Sequence, residues 1–254
     1  IHAQYAAAGS RIVNANTFGA SAHKLAGSAY TLEQIITAGI ENCKRACAPY
    51  GALTALDVGP LGELLEPSGT LAFEDAVAEY GRIVRAGVAA GADLVFFETY
   101  TDLYELKAAL LAAKENTRLP ILASMSFEAG GRTFTGCTVE SFAATARGLG
   151  ADAVGINCSL GPKEIFPMAK RLAEAVPGNF PVFVKPNAGL PRADGSGYDI
   201  TPQLFALQMK PYRELHLFAA GGCCGTTPDF IKLLNGTFAG CTPGRPAHRM
   251  PSVL

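Results

Sequence analysis

The sequence has no tryptophan, only four histidines and almost no excess of charge of either sign. Its 21 lysines and arginines offset 22 aspartates and glutamates to a formal net charge of −1, which argues against a nucleic-acid partner and against electrostatic attachment to a membrane. No apolar run approaches the roughly 20 residues that a membrane-spanning helix requires. The histidines are scattered, and no two have the spacing of paired metal ligands.

Cysteine is present in an odd number, seven, and no secretory context accompanies it. This pattern favours reduced thiols over a disulfide framework. We therefore expect a cytoplasmic protein.

Short apolar runs alternate with segments of helical periodicity, which indicates a fold of alternating strands and helices. The runs predict seven strands, at 11–13, 53–57, 93–98, 121–125, up to 158, 182–185 and 217–219. A closed (βα)8 barrel of the TIM type needs eight strands. We therefore expect an α/β barrel over residues 1–236 whose first strand precedes Ile1, followed by a carboxyl-terminal tail or linker remnant over residues 237–254.

Two glycine-rich segments place cysteines at the carboxyl ends of predicted strands. Gly155–Pro162 contains Cys158, and Ala219–Pro228 contains Cys223 and Cys224. Alternating strand–helix folds keep their chemistry at this end of the sheet. Three soft thiolates suit one zinc ion, and three protein ligands leave the fourth tetrahedral position open, as in catalytic sites. The sequence thus predicts a catalytic zinc centre that alkylates a thiol.

A structural role competes with this interpretation, because a cysteine in such a fold is commonly a small buried apolar residue. The usual Cys-x-x-Cys ligand pair is also absent. The glycines at 221, 222 and 225 favour zinc, since they let the backbone turn so that two adjacent side chains can face one ion.

The other four cysteines are not expected to bind metal. Cys43 and Cys47 lie on the apolar stripe of a predicted helix, so we expect them in the core. Cys137 and Cys241 are lone thiols in loops, and the sequence assigns them no role.

Polar residues at other predicted strand ends are candidate substrate ligands. Glu98 ends an apolar strand, where an ionised carboxylate is costly unless a cation pairs with it; a structural salt bridge is the alternative. Asn16, Asn157 and Asn187 could bind substrate, but asparagine at such positions is as often a turn former. Lys185 could form a Schiff base, although the following Pro-Asn and the nearby cysteines favour a structural ion pair.

With these elements placed, the chain resembles the homocysteine S-methyltransferase family, most closely the amino-terminal homocysteine-binding module of cobalamin-dependent methionine synthase. The likeness runs from Ile1 to about Leu234. It is carried by Asn14–Gly19, Asp57–Pro60, Phe97–Thr99, Gly155–Pro162, Pro186–Gly189 and Gly221–Pro228. The two cysteine segments together are highly specific, and the others support them.

The resemblance implies roles for individual residues. Cys158, Cys223 and Cys224 would bind catalytic zinc, and Glu98 would contact the amino group of homocysteine. The family's first strand carries an aspartate and backbone amides that hold the rest of the amino acid, and this sequence has no counterpart of that strand. The expected reaction transfers a methyl group to the homocysteine sulfur and forms methionine.

The resemblance leaves the methyl donor open between methylcobalamin, S-methylmethionine and betaine. Relatives that use small onium donors enclose them with aromatic rings, whereas here Thr99 follows Glu98 and tryptophan is absent. Small strand-end residues suit docking of a bulky corrin on a corrinoid protein or downstream module; they are Thr17, Gly19, Gly59 and Thr99. The aromatic residues that could still form a partial cage are Phe18, Tyr100 and Phe127.

Two other functions stay open from the residues alone. A metal-free barrel enzyme could bind a phosphorylated substrate at Gly221–Gly222, because the end of the last barrel strand often binds phosphate. A redox or binding protein could use Cys223 and Cys224 as a thiol switch without methyl transfer. The zinc content of the purified protein separates the three interpretations.

Overall fold

A computed structural model describes residues 1–192 and 194–242 of the chain. Strands and helices alternate along these residues, as the sequence predicts. The strands are β1 (Ile12–Asn14), β2 (Leu53–Val58), β3 (Leu94–Tyr100), β4 (Ile121–Met125), β5 (Ala153–Asn157), β6 (Val182–Lys185) and β7 (Ala219–Ala220). The α-helices are α1 (His2–Ala7), α2 (Leu32–Cys47), α3 (Phe73–Ala89), α4 (Leu103–Asn116), α5 (Val139–Gly148), α6 (Pro162–Ala175), α7 (Pro202–Met209) and α8 (Pro228–Thr237). Two 3-10 helices cover Ala48–Tyr50 and Lys210–Leu215.

The sheet follows chain order, β1-β2-β3-β4-β5-β6-β7. β2 pairs in parallel with β1 and β3, and β6 pairs in parallel with β5 and β7. All residues of β4 and β5 are buried. Strands covered on both faces form continuous apolar runs, which explains why the sequence shows runs and not alternation.

The last strand lies later than its predicted range of 217–219. Its ladder with β6 joins Phe183 to Ala219 and Val184 to Ala220, so the pairing, and not the apolar run, decides where β7 begins. The helix α8 ends at Thr237, one residue inside the predicted tail. Residues 243–254 of that tail lie outside the described residues.

Two compact units divide the chain. The first comprises Ile1–Ala123 with Leu149–Ala151, and the second comprises Ser124–Gly148 and the chain from Asp152 onward. The core of the first contains Ile36, Tyr80 and Phe97. The core of the second contains Phe142, Ile156 and Phe205. No helix in residues 1–192 and 194–242 is both long and apolar enough to cross a membrane.

The helices after the two cysteine segments begin in the same way. Pro162 starts α6 and Pro228 starts α8. Proline suits the first helical position, because its backbone angle is already helical and no hydrogen bond is lost there. Each cysteine segment is therefore bounded by a strand on one side and a proline-initiated helix on the other.

Candidate metal centre

Cys158 stands directly after β5, in a left-handed backbone conformation. Its φ is 64°, and that of Ser159 is 60°. Few non-glycine residues adopt this conformation, and those that do concentrate at functional sites. The turn is held by two hydrogen bonds: the Cys158 N–H donates to the Lys185 carbonyl at 3.1 Å, and the Leu160 N–H donates to the Cys158 carbonyl at 2.8 Å.

Cys223 and Cys224 lie in the loop after β7. The Cys223 N–H donates to the Pro186 carbonyl at 2.8 Å, and the Cys224 N–H donates to Asn187 Oδ1 at 3.0 Å. Thr226 Oγ1 donates to the Cys223 carbonyl at 2.7 Å. The loop is therefore tied both to the segment after β6 and to its own next turn, so the two neighbouring thiols are held in place.

Glycine is required at position 225 of this loop. Its φ is +79°, and an added Cβ would lie 2.3 Å from the ring of Tyr198. An L-residue would be strained by the backbone angle and would also collide with the ring.

The three sulfur atoms of Cys158, Cys223 and Cys224 lie within 4.8 Å of one another. The Sγ atoms of Cys158 and Cys224 are 3.7 Å apart. A tetrahedral zinc ion with Zn–S bonds of about 2.3 Å holds its sulfur ligands about 3.8 Å apart. The three thiols thus fit one zinc ion with less than about 1 Å of contraction, and a three-cysteine set leaves one position for another ligand.

Protons are unevenly shared among the three thiols. Hydrogen bonds from Cys158 and Cys224 hold the pKa of Cys223 well below its usual range, and Lys185 and Asn157 add to this effect. Hydrogen bonding to Cys223 raises the pKa of Cys158 and that of Cys224. The lowered pKa favours the thiolate form at Cys223. A thiolate is the form that binds metal.

Two of the predicted asparagines contact the cysteines. Asn157 is fully buried; its Nδ2 donates to Cys223 Sγ at 3.7 Å, and its Oδ1 accepts from Ser124 at 2.8 Å. Asn187 is 6% exposed, and its Oδ1 accepts the Cys224 N–H. In this structure both amides support the cysteines, and their predicted contact with substrate stays a prediction.

The predicted site residues Glu98 and Asn16 belong to the first unit. Glu98 is 7% exposed near the end of β3, and Thr99 after it has a φ of 67°, a rare value for a β-branched residue. Asn16 is exposed in the turn after β1. Cys158, Cys223 and Cys224 lie in the second unit, as do Asn157 and Asn187.

The remaining cysteines agree with their predicted positions. Cys43 and Cys47 are fully buried on α2, and their sulfurs lie 3.8 Å apart. In the described part of the chain, the group of three or more His, Cys, Asp or Glu side chains close enough together to hold one metal ion is Cys158, Cys223 and Cys224. One of the four histidines, His248, lies outside the described residues.

Two residues of this centre were not predicted, Ser124 and Tyr198. Ser124 is the polar residue inside the apolar run of β4, a signal that the sequence does contain. Tyr198 lies in the polar segment between β6 and α7, and nothing in its local sequence marks it. Thr17 was expected at an open mouth, but it is 2% exposed because its Oγ1 donates to the Asp57 carbonyl and accepts the Asp57 N–H.

Comparison with known proteins assigns the family. The sequence profile described as homocysteine S-methyltransferase matches residues 1–238. The chain belongs to the homocysteine S-methyltransferase family. Its members transfer methyl groups, so the predicted enzyme class is confirmed.

Two relatives of this family member are mycobacterial methionine synthases. The chain is 31% identical over 260 residues to that of Mycobacterium leprae (strain TN), a match covering 96% of this chain and 21% of that protein. It is 29% identical over 269 residues to that of Mycobacterium tuberculosis (strain ATCC 25618 / H37Rv), covering 100% of this chain and 22% of that protein. The chain thus spans about a fifth of the length of these relatives.

Solved structures show the same fold. The oxidized form of the homocysteine methyltransferase MmuM from Escherichia coli matches with a TM-score of 0.79 and 22% identity, covering 93% of this chain and 82% of that one. Its metallated form matches with a TM-score of 0.73 and 21% identity, covering 93% and 82%. This likeness confirms the predicted α/β fold of the TIM-barrel type.

Proposed function

We propose that the chain is a zinc-dependent homocysteine S-methyltransferase that forms methionine. The observation that carries the proposal is the cluster of Cys158, Cys223 and Cys224 sulfurs within 4.8 Å. Family membership supplies the expectation of methyl transfer to homocysteine, and a three-thiol site with an open position supplies a place for the substrate sulfur.

The chemistry explains why thiols are suited to this site. A substrate thiol with a pKa of roughly 8.5 is only about 3% thiolate at pH 7, a penalty near 2 kcal/mol for the reactive form. Bound zinc supplies a Lewis acid that keeps a coordinated thiol deprotonated at neutral pH. Three cysteine thiolates give the site excess negative charge, so the substrate sulfur keeps its nucleophilicity. A set of histidine and carboxylate ligands would leave less electron density on that sulfur.

The rest of the substrate requires groups that pair with its amino-acid portion. We assign Glu98 to the ammonium group, because it matches the glutamate to which the family resemblance gives that role and places a carboxylate near the end of β3, where strand–helix folds bind their substrates. Asn16, exposed after β1, is proposed as a further substrate ligand. Asn157 and Asn187 would act on substrate through the cysteine centre that they contact.

Methylcobalamin is the proposed methyl donor, delivered by a corrinoid protein or a downstream module. The relatives named methionine synthase are about five times as long as this chain, which leaves room in them for such a module. The alternative of a partial aromatic cage for a small onium donor gains no support from the three candidate residues. Tyr100 and Phe127 are buried, and Lys24 Nζ lies 5.3 Å from the ring centroid of Phe18. We also propose that the protein is cytoplasmic.

The direct test measures zinc content and methionine formation together. Purified reduced protein should bind one zinc ion and convert homocysteine with methylcobalamin, with or without a corrinoid protein. If only S-methylmethionine or betaine supports turnover, the proposed donor is wrong, whereas zinc-dependent methylation of homocysteine still holds. Protein that binds no zinc and forms no methionine with any donor would contradict the proposal and favour the phosphate-binding or thiol-switch interpretation.

A further inference from the structure

A buried chain of hydrogen bonds leads from β4 to one of the three thiols. Ser124 Oγ donates to Asn157 Oδ1 at 2.8 Å, and Asn157 Nδ2 donates to Cys223 Sγ at 3.7 Å. Ser124 and Asn157 are both fully buried. The two residues are 33 positions apart in the sequence and lie on the adjacent strands β4 and β5. Both belong to the second unit.

The direction of each hydrogen bond in this series decides which end of the Asn157 amide faces Cys223. An amide group can present either its oxygen or its NH2 to a neighbour, and only the NH2 can stabilise a thiolate or a metal-bound sulfur. A serine hydroxyl can donate or accept; here the Ser124 hydroxyl donates to the amide oxygen, and the NH2 faces Cys223. The reverse orientation would place an oxygen lone pair against a negatively charged sulfur.

The buried position of Ser124 indicates that its hydroxyl has a specific role. Its neighbours Ala123 and Met125 are fully buried, and all residues of β4 are buried. Burying a hydroxyl in such a strand is unfavourable unless a hydrogen bond compensates for lost water. The hydrogen bond to Asn157 contributes such compensation, so the serine and the amide stabilise each other.

We infer that Ser124 is a positioning residue that orients the Asn157 amide so that its NH2 hydrogen-bonds the Cys223 sulfur in the metal-bound site. This inference rests on the proposed zinc function. Residues that orient metal ligands in this way change metal affinity by about 10- to 100-fold when removed. Ser124 acts one step further from the metal, through Asn157, so its removal should weaken zinc binding by about three- to tenfold.

The experiment compares zinc affinity in four variants of the full chain. They are Ser124→Ala, Asn157→Ala, the double variant and the control Ser21→Ala. Ser21 is a buried serine in the first unit whose hydroxyl donates to the Leu61 carbonyl at 3.0 Å, so Ser21→Ala removes the same group without touching the chain to Cys223. Affinity is measured by competition with a chelator under reducing conditions. Unfolding of each metal-free protein is measured in parallel.

If Ser124 acts through Asn157, the double variant should bind zinc no more weakly than Asn157→Ala alone. Ser124→Ala should lower affinity, and Ser21→Ala should not. The cobalt-substituted protein supplies a readout that a purely structural role would not move. Its sulfur-to-metal charge-transfer band should shift in Ser124→Ala and in Asn157→Ala, and should stay at the wild-type position in Ser21→Ala.

Three outcomes would overturn the inference. They are wild-type zinc affinity in Ser124→Ala, additive losses in the double variant, and an unshifted cobalt band in Ser124→Ala. Wild-type protein that binds neither zinc nor cobalt would instead contradict the proposed function, and the inference with it. Failure of the inference alone leaves a wild-type protein that binds zinc, so the two failures are distinguishable.

Discussion

At the scale of single residues, the cysteine at 158 is held in a conformation that its own side chain does not favour. A left-handed φ of 64° is followed by another of 60° at Ser159, and such backbone persists only where surrounding structure holds it. The hydrogen bond from Cys158 N–H to Lys185 is part of that support. In this conformation the Cys158 sulfur lies 3.7 Å from that of Cys224.

Serine substitutions test the metal ligands. Cys158→Ser, Cys223→Ser or Cys224→Ser should each reduce zinc content from one per chain to well below half, because a hydroxyl is a far weaker zinc ligand than a thiolate. Cys43→Ser is the matched control, since this thiol is buried on α2 outside the cluster. Elemental analysis measures the stoichiometry, and full zinc retention in Cys158→Ser would refute the ligand assignment.

Glu98→Gln tests recognition of the substrate ammonium. Loss of a charged hydrogen bond should raise KM for homocysteine by about 10- to 100-fold, with zinc content unchanged. Steady-state kinetics and elemental analysis on the same preparation check this. A variant that loses zinc, or one with wild-type kinetics, would remove Glu98 from the substrate site.

At the scale of elements, a buried carboxylate on α4 holds the loop after β2. Glu105 is 5% exposed, and its Oε1 accepts hydrogen bonds from the Leu61 N–H at 2.7 Å and from the Tyr80 hydroxyl at 2.8 Å. The Tyr100 hydroxyl donates to the Gly59 carbonyl of the same loop at 3.2 Å. In the first unit, α4 and β3 are therefore both tied to the loop after β2 by buried polar side chains. The periodicity of the sequence predicts that such side chains are buried, but not which groups they contact.

This carboxylate should make stability depend on pH. Burial raises the pKa of Glu105, although the hydrogen bonds from Leu61 and Tyr80 oppose the rise. A raised native pKa means that the contribution of Glu105 to stability is full below the unfolded-state pKa and is lost as pH rises through the native one. Glutamine cannot ionise, yet its oxygen can accept the same two hydrogen bonds.

Glu105→Gln should therefore gain stability relative to wild type as pH rises above about 4.5. Denaturant unfolding across a pH series measures the difference. Glu115→Gln, an exposed substitution on the same helix, is the control and should show no such trend. Parallel stability curves for wild type and Glu105→Gln would contradict the predicted coupling.

At the scale of the whole molecule, the chain combines a family-wide fold with a three-thiol cluster that lies in the second unit. The family profile covers residues 1–238, whereas the three thiols and their supporting amides come from β5 and the segments after β5, β6 and β7. A ligand that binds only the folded chain stabilises it by mass action. Zinc should therefore stabilise the protein, by an amount that rises with the logarithm of the ratio of free zinc to its dissociation constant.

Free zinc at a hundred times its dissociation constant should stabilise the chain by about 2.7 kcal/mol, which raises Tm by about 5–10 °C in a domain of this size. Thermal unfolding with buffered zinc and with excess chelator checks the shift. Cys158→Ser should abolish most of it. Equal Tm values for wild type with and without zinc would contradict a site formed only in the folded state.

The sequence alone determined the alternation of strands and helices and the order of the strand-end motifs. Both depend on local patterns: an apolar run identifies a buried strand, and a glycine-rich or Gly-Pro segment identifies the loop that follows it. Cys158, Cys223 and Cys224 were predictable as a set, because parallel strands end at one edge of a sheet. The core positions of Cys43 and Cys47 followed from helical spacing, and their burial is complete.

Only the tertiary structure decided which side chains meet. Asn157 faces Cys223 and Ser124, Asn187 accepts from the Cys224 N–H, and the Tyr198 ring occupies the space beside Gly225. Each contact joins segments far apart in the sequence, and each depends on strand register and on the path of a long loop. Periodicity reports only whether a side chain is buried, since it carries no information about the distant residue that lies opposite.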